Sequence, residues 1–466
     1  MVAKSINDLQ LNRKSDETWL RLCAPAGFWH MAAMLRPLPA LALALAASPA
    51  AAQLSAPEQR IAATVTAEQA RNIALLQKLV DQNSGSLNVA GVTKVGETMR
   101  AELTPLGFAV RWIDMKATGR AGHIVATHKG KAGTKRILLI GHLDTVFEPS
   151  SAFQRFARKG DTATGPGVGD DKGGMVVMVA ALRAMQAAGT LKDANIEVVL
   201  TGDEERTGAP VEVARRDLVA AGKRADVALE FEGLVRDEQG RDFGTVARRG
   251  SISWTVETKG KPGHSSGVFG PGLGYGAAYE LARILDGFRR EVAEPNLTYN
   301  VGVMAAGTPA TLADNQYQVT AEGKTNMVAG SAVARGDLRA LTTEQAERAQ
   351  VKMGAIVGQH LPGTDATIRF EDGYPPMSPT AGNRALLGKL NGVNRDLGLA
   401  EMTEWDPAKR GAADSSWVAA DTDVLAGLGT YGEGAHAEGE SVDLTSIPLQ
   451  AKRAAILMTR LSREKR

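Results

Sequence analysis

The sequence predicts an α/β protein in which a mostly parallel sheet is covered by helices and a smaller α+β domain is inserted into it. Short apolar runs alternate with helical stretches from Ala56 to about Ala247, the pattern of strand and crossover-helix units. Near Arg248 the texture becomes more polar, and after Tyr374-Pro375-Pro376-Met377 the helical patterns return. A chain of 466 residues that is 44% hydrophobic is long enough to bury more than one core.

In chain order, residues 137–140, 196–200 and 227–231 are apolar runs of strand length, and 175–185 supplies a helix between the first two. Apolar runs of this kind belong to strands of a parallel sheet with helices on its faces. Residues 251–257 and 335–339 read as strands of a second sheet, with a helix at 276–288, and 447–461 reads as a closing helix. The larger domain is therefore expected at 56–247 and 377–466, with the insertion at 248–376. No internal repeat or long low-complexity linker interrupts this order.

The N-terminus reads as an export signal. A short basic start at 31–36 precedes an apolar run at 38–47 and the small residues Ala50-Ala51-Ala52 before Gln53. That run is too short to cross a bilayer as a helix. Residues 31–52 are thus expected to be a signal peptide, and 1–30 an extension upstream of a true start at Met31 or Met34. The mature chain is expected to be periplasmic or secreted, with no membrane contact once the signal is removed. Its only cysteine, Cys23, lies upstream of the cleavage point, so any metal site must use His and carboxylates. Lys plus Arg number 54 against 52 Asp plus Glu, and without a long basic run nothing supplies the electrostatic footprint of nucleic-acid binding. A small-molecule partner is expected.

Four segments carry chemistry. Gly141-His142-Leu143-Asp144 follows the first apolar run. On extended chain His142 and Asp144 point the same way, so the carboxylate can hold one ring nitrogen while the other binds metal; alone, such a pair is more often an ordinary polar contact. Asp170-Asp171 sits in a glycine-rich stretch, Gly165 to Gly174, before a helix. A phosphate-loop reading fails for want of Gly-Lys-Ser/Thr, leaving a helix cap or a carboxylate bridging two metals. Asp203-Glu204-Glu205 ends the next strand, where three adjacent acids need either full solvation or a cation. Glu230-Phe231-Glu232 ends the following one. Ligands of open parallel sheets bind beyond the carboxyl ends of the strands, and His142, Asp170, Glu205 and Glu232 all fall at or just after such ends.

These motifs, in this order and spacing, resemble the aminoacylase/carboxypeptidase family of di-zinc metallopeptidases, most closely its bacterial glutamate carboxypeptidases. The resemblance covers essentially everything after Ala56. It implies a zinc-peptidase-like catalytic domain and a ferredoxin-like lid and dimerisation domain, assembled as a homodimer. It further implies two Zn²⁺ per subunit, one held by His142, Asp170 and Glu232 and the other by Asp170, Glu205 and His436, with Asp170 bridging and a cis peptide after it. Glu230 is an alternative to Glu232. By the same resemblance Glu204 is the general base and Asp144 orients His142. His264, in Gly263-His264-Ser265-Ser266, reaches the partner subunit's active site to stabilise the oxyanion, and Asn326 and Arg339 bind substrate, the arginine through the terminal carboxylate. His123, His128 and His360 match no family motif.

The expected activity is that of a carboxypeptidase hydrolysing the amide bond to a C-terminal amino acid. An N-acyl amino acid amidohydrolase of the same fold is the nearest alternative, and a noncatalytic zinc-binding dimerisation protein is the alternative from another class; the presence of Glu204 beside every metal ligand argues against the latter. Asn326-Met327-Val328-Ala329, Ala412-Ala413-Asp414 and the lack of an arginine near Gly373-Tyr374-Pro375 depart from the family pattern and loosen the expectation of strict glutamate specificity.

Overall fold

A computed structural model describes residues 54–466; the expected signal peptide at 31–52, the extension at 1–30 and Cys23 lie outside them. In chain order the elements that position the site are β1 (Ala109–Asp114), β2 (Gly122–His128), β3 (Arg136–His142), α1 (Lys172–Ala187), β4 (Asn195–Thr201) and β5 (Val227–Glu230). The chain then builds β6 (Ile252–Gly260), α2 (Gly276–Glu291), β7 (Thr298–Gly307), β8 (Ser331–Arg339), α3 (Thr343–Val357) and β9 (Thr364–Asp372). It returns with β10 (Asp423–Leu425) and α4 (Ser446–Leu461). No described helix is long and apolar enough to cross a membrane.

The first sheet has six strands in the order β1-β2-β4-β3-β5-β10. It is parallel from β4 to β10, while β1 and β2 add an antiparallel edge. Leu138, Ile140, Val199 and Ala228 face one side, packed with Leu218 and Val418. Their neighbours Ile137, Leu139, Val198 and Leu229 face the other, against α1 and α4, as the period of two requires. Both faces are covered, so the strands carry no polar alternation. α1, apolar on nearly all sides, is buried from Lys172 to Met185 because it lies between the sheet and α4. The register places Ile137 opposite both Ile196 and Val227, so β3, β4 and β5 finish at one edge.

The insertion is a four-stranded antiparallel sheet in the order β7-β8-β6-β9. With α2 and α3 it makes the split β-α-β-β-α-β arrangement, the ferredoxin-like fold expected. Its separate core gathers Trp254, Leu281, Ile284, Phe288, Leu338 and Met353. Trp254 stands edge-on to Phe288 at 5.6 Å, and its indole N–H donates to the Asp337 carbonyl at 3.2 Å, giving the buried ring's polar atom a partner. The two connections between the sheets run side by side, Arg248 and Met377 exchanging backbone hydrogen bonds of 3.0 Å in both directions.

One glycine lets α1 approach the end of β5. A Cβ on Gly174 would stand 1.8 Å from the Phe231 carbonyl oxygen and 2.1 Å from Asp171 Oδ1. Neither backbone can yield without moving Glu232. Gly174→Ala is therefore expected to cost about 1–3 kcal/mol or more, read as a lower thermal unfolding midpoint together with weaker metal retention. An unchanged midpoint would mean that the helix start is free to shift.

Candidate metal centre

His142 closes β3, Asp170 lies two residues before α1, Glu204 and Glu205 occupy the turn after β4, and Glu232 follows β5 by two residues. His436 comes from the loop between β10 and α4, at a positive φ of 65°. The edge shared by the three strands brings them together. His142 Nε2 stands 2.9 Å from Asp170 Oδ1, and His436 Nε2 stands 3.2 Å from Asp170 Oδ2 and 3.0 Å from Glu205 Oε2. Ligand atoms of His142, Asp170 and Glu205 lie within 4.8 Å of one another, as do those of His142, Glu204 and Glu232. Asp170 thus touches both imidazoles, and the Asp170-Asp171 peptide is cis.

The charges fit a divalent pair. Burial pushes the Glu204 carboxyl well above the usual range, with the Glu232 charge adding to it. Burial likewise raises Glu205, and it carries Glu232 up to about 7 against the pull of Arg248. Burial alone would lower His142, but Asp144 and Asp170 hold it well above an ordinary imidazole. Carboxylates so placed must take protons or face cations. Imidazole and carboxylate donors without a thiol suit zinc and similar ions.

Supporting contacts come from distant parts of the chain. The Glu440 carboxylate accepts from the amides of Gly167 and Gly169 at 2.8 Å and of Asp170 at 2.9 Å, which sets the position of the Asp170 loop. Arg248 pairs with Glu230 at 2.6 Å and Glu232 at 2.7 Å. Glu230 also accepts from the Ser415 amide at 2.9 Å, so its carboxylate is occupied and Glu232 is the one left beside His142. Beneath the acidic turn, buried Arg215 joins Asp203 at 2.5 Å and Asp414 at 3.0 Å. Tyr374, from the second connection between the sheets, donates its hydroxyl to the Glu204 carbonyl at 2.8 Å.

Asp144 makes more contacts than the expectation gave it. Its carboxylate accepts from Ser86 at 2.5 Å and from the Glu204 and Glu205 amides at 3.0 and 3.1 Å. His142 Nδ1 meets both the Asp144 carbonyl oxygen at 3.1 Å and its carboxylate at 3.4 Å, although β3 stops at His142. Of the remaining expected residues, His264 and Asn326 are neighbours on exposed chain, Ser265 donating to the Asn326 carbonyl at 2.9 Å. Arg339 is elsewhere, bonded to Asp337 at 2.9 Å at the opposite end of β8. His123 is a buried packing residue whose ring meets the Gly202 amide and the Ala214 carbonyl. Glu440, Arg248, Arg215 and Tyr374 escaped the sequence reading; only the nearness of Glu440 to His436 offered a signal.

A family model described as peptidase family M20/M25/M40 matches residues 138–460. Carboxypeptidase G2 of Pseudomonas sp. (strain RS-16) is 28% identical over 403 residues, 84% of this chain and 90% of that protein. Succinyl-diaminopimelate desuccinylase of Novosphingobium aromaticivorans is 28% identical over 335 residues, 66% of this chain and 84% of that protein. Among solved structures, aminopeptidase PepT from Bacillus cereus superposes with a TM-score of 0.69 at 18% identity, covering 85% of this chain and 99% of that one, a likeness of fold.

The Glu440 contacts give a test. Glutamine there offers one acceptor oxygen and turns an N–H toward amide donors, so Glu440→Gln is expected to weaken metal binding about 10- to 100-fold with the fold retained. A chelator-competition titration, with circular dichroism as control, checks this. Undiminished affinity would show that the Asp170 loop holds its place without Glu440.

Proposed function

The chain belongs to peptidase family M20/M25/M40 and is a hydrolase of that family; from this premise we propose that it is a two-zinc carboxypeptidase releasing a C-terminal amino acid from an amide. The observation that carries the reading is the convergence of His142, Glu205 and His436 on the Asp170 carboxylate, with Glu204 and Glu232 beside His142. His142, Asp170 and Glu232 would hold one ion, and Asp170, Glu205 and His436 the other. Three protein ligands to each leave an open position, as catalytic zinc sites have. A bound ion pair supplies Lewis acidity, polarising the amide carbonyl and making water acidic enough to attack at neutral pH.

The residues of the chain do the rest. Glu204 takes the proton of the attacking water and hands it to the leaving nitrogen. Asp144 fixes the Glu204 and Glu205 backbone by its two amide contacts. The likeness to a desuccinylase favours a second reading within the same chemistry, hydrolysis of N-acyl amino acids.

Homodimer formation is part of the proposal, and the geometry of the insertion supports it. β8 runs nine residues, about 26 Å at strand rise. Its Ser331 end lies beside the His264 and Asn326 segments, through the Gly260–Gly330 and Gly263–Val328 pairings. Its Arg339 end adjoins the connections to the larger sheet, where Gly250 donates to the Ala340 carbonyl. One small amide cannot reach both ends of the same β8. A second copy would bring its His264 and Asn326 to the site that Arg339 flanks.

Glu204→Gln is expected to retain both metals, by elemental analysis, and to lose nearly all kcat; substantial kcat would remove Glu204 from its role. For the shared site, His264→Ala and Glu204→Gln subunits, each inactive, are expected to recover part of the activity on mixing, because one site of each hybrid has both residues intact. Absent recovery despite proven subunit exchange would mean that His264 does not act across the interface.

A further inference from the structure

Arg410 is a cation with no acid of its own beside the metal centre. Its Nη2 donates to the Gly233 carbonyl at 3.1 Å, and its Nε is buried without a partner. Among the described residues no carboxylate lies within ion-pair distance of it, whereas neighbouring Arg248 takes both Glu230 and Glu232. A guanidinium partly withdrawn from water without a counter-charge is costly, and this half-buried one borders a cavity of about 130 Å³ that Asp170, Glu232, Gly233, Leu234 and Thr430 also line.

The acids around that cavity are engaged elsewhere. Glu440 serves three amides, and Glu433 accepts from the Tyr431 hydroxyl at 2.8 Å. Asp170 and Glu232 face the metal position under the function proposed above. Arg339, to which the sequence resemblance gives the terminal carboxylate, already has Asp337 at 2.9 Å. Arg410 therefore has the stronger need of an anion, and its cavity shares Asp170 and Glu232 with the metal centre.

We propose that Arg410 is a specificity-determining residue that pairs with the substrate carboxylate next to the scissile nitrogen. This deepens the function proposed above and rests on it. The substrates are then amides whose leaving amine carries a carboxylate on its adjacent carbon, and a neutral group at that position is rejected because it leaves the guanidinium unpaired.

The test uses the metal-loaded full chain carrying Glu204→Gln, so that bound ligand is not consumed. Calorimetry compares an N-acyl amino acid with its neutral carboxamide, with and without Arg410→Gln. The acid is expected to bind more tightly than the carboxamide, and Arg410→Gln to weaken the acid about 30-fold or more while leaving the carboxamide unchanged. Arg410→Lys, which keeps the charge, should retain part of the preference. Metal content of each variant is measured alongside. A preference that survives Arg410→Gln, equal weakening of both ligands, or a loss traced to metal content overturns the assignment, and the same loss produced by Arg339→Gln alone moves the role to Arg339. Turnover in the Glu204-containing protein separates the two readings. If it cleaves neither dipeptides nor N-acyl amino acids, the function fails, while the calorimetric preference still decides the fate of Arg410.

Discussion

Four carboxylates and two imidazoles crowd the carboxyl edge of one sheet, and the cost of holding that negative charge out of water governs the surroundings of the site. Removing an ionised carboxylate from water costs several kcal/mol unless opposite charge or hydrogen-bond donors replace the solvent. Three of the four acids have such compensation. Asp170 meets two imidazoles, Glu232 meets Arg248, and Glu205 meets His436. Glu204 is the exception, with only backbone contacts from Asp144 and Tyr374, and it is the residue whose chemistry requires a proton to come and go. Structure and reactivity thus divide among the acids according to which of them have a fixed partner.

The same constraint explains the layer beneath the cluster. Arg215 lies between Asp203 and Asp414 and turns what would be two more buried charges into a brace for the acidic turn. Glu440 pins three amides of the Asp170 loop, so that aspartate is held by its main chain and its side chain remains available to metal. Gly174 serves from the other side, letting the start of α1 come within touching distance of the Phe231 carbonyl and so fixing where Glu232 emerges.

The central strands and α1 were legible because both faces of the sheet are covered, which forces uninterrupted apolar runs such as 137–140 and 196–200. β1 was not legible. It is an edge strand, half exposed along its length, and the apolar signal weakens where solvent takes one side. His142, Glu205 and Glu232 were readable because each sits at or just after a strand end and Asp170 because it precedes a helix start, whereas His436, on a loop at positive φ, was carried by the family resemblance alone. The braces were not readable, because nothing local marks them: Thr201 bonds Asp414 across 213 positions and Gly167 bonds Glu440 across 273. Asp144 shows that one residue can serve more contacts than its spacing reveals: its carboxylate stands 3.4 Å from His142 Nδ1 and also accepts from Ser86 and the acidic turn.

Those long separations also bear on how the chain matures. His436 and Glu440 belong to the final stretch, after the insertion, and Asp414 shortly precedes them. The inserted domain has its own core and completes its sheet between Ile252 and Asp372, whereas the closure of the acidic cradle depends on contacts across more than 200 positions, the range whose loop closure is costliest. During synthesis the acids of the first half emerge long before the imidazole and braces that complete their environment. Ions that bind only the finished cradle add their binding energy to its stability. A chain broken off before Glu440 forgoes that gain, so metal uptake discriminates complete molecules from fragments.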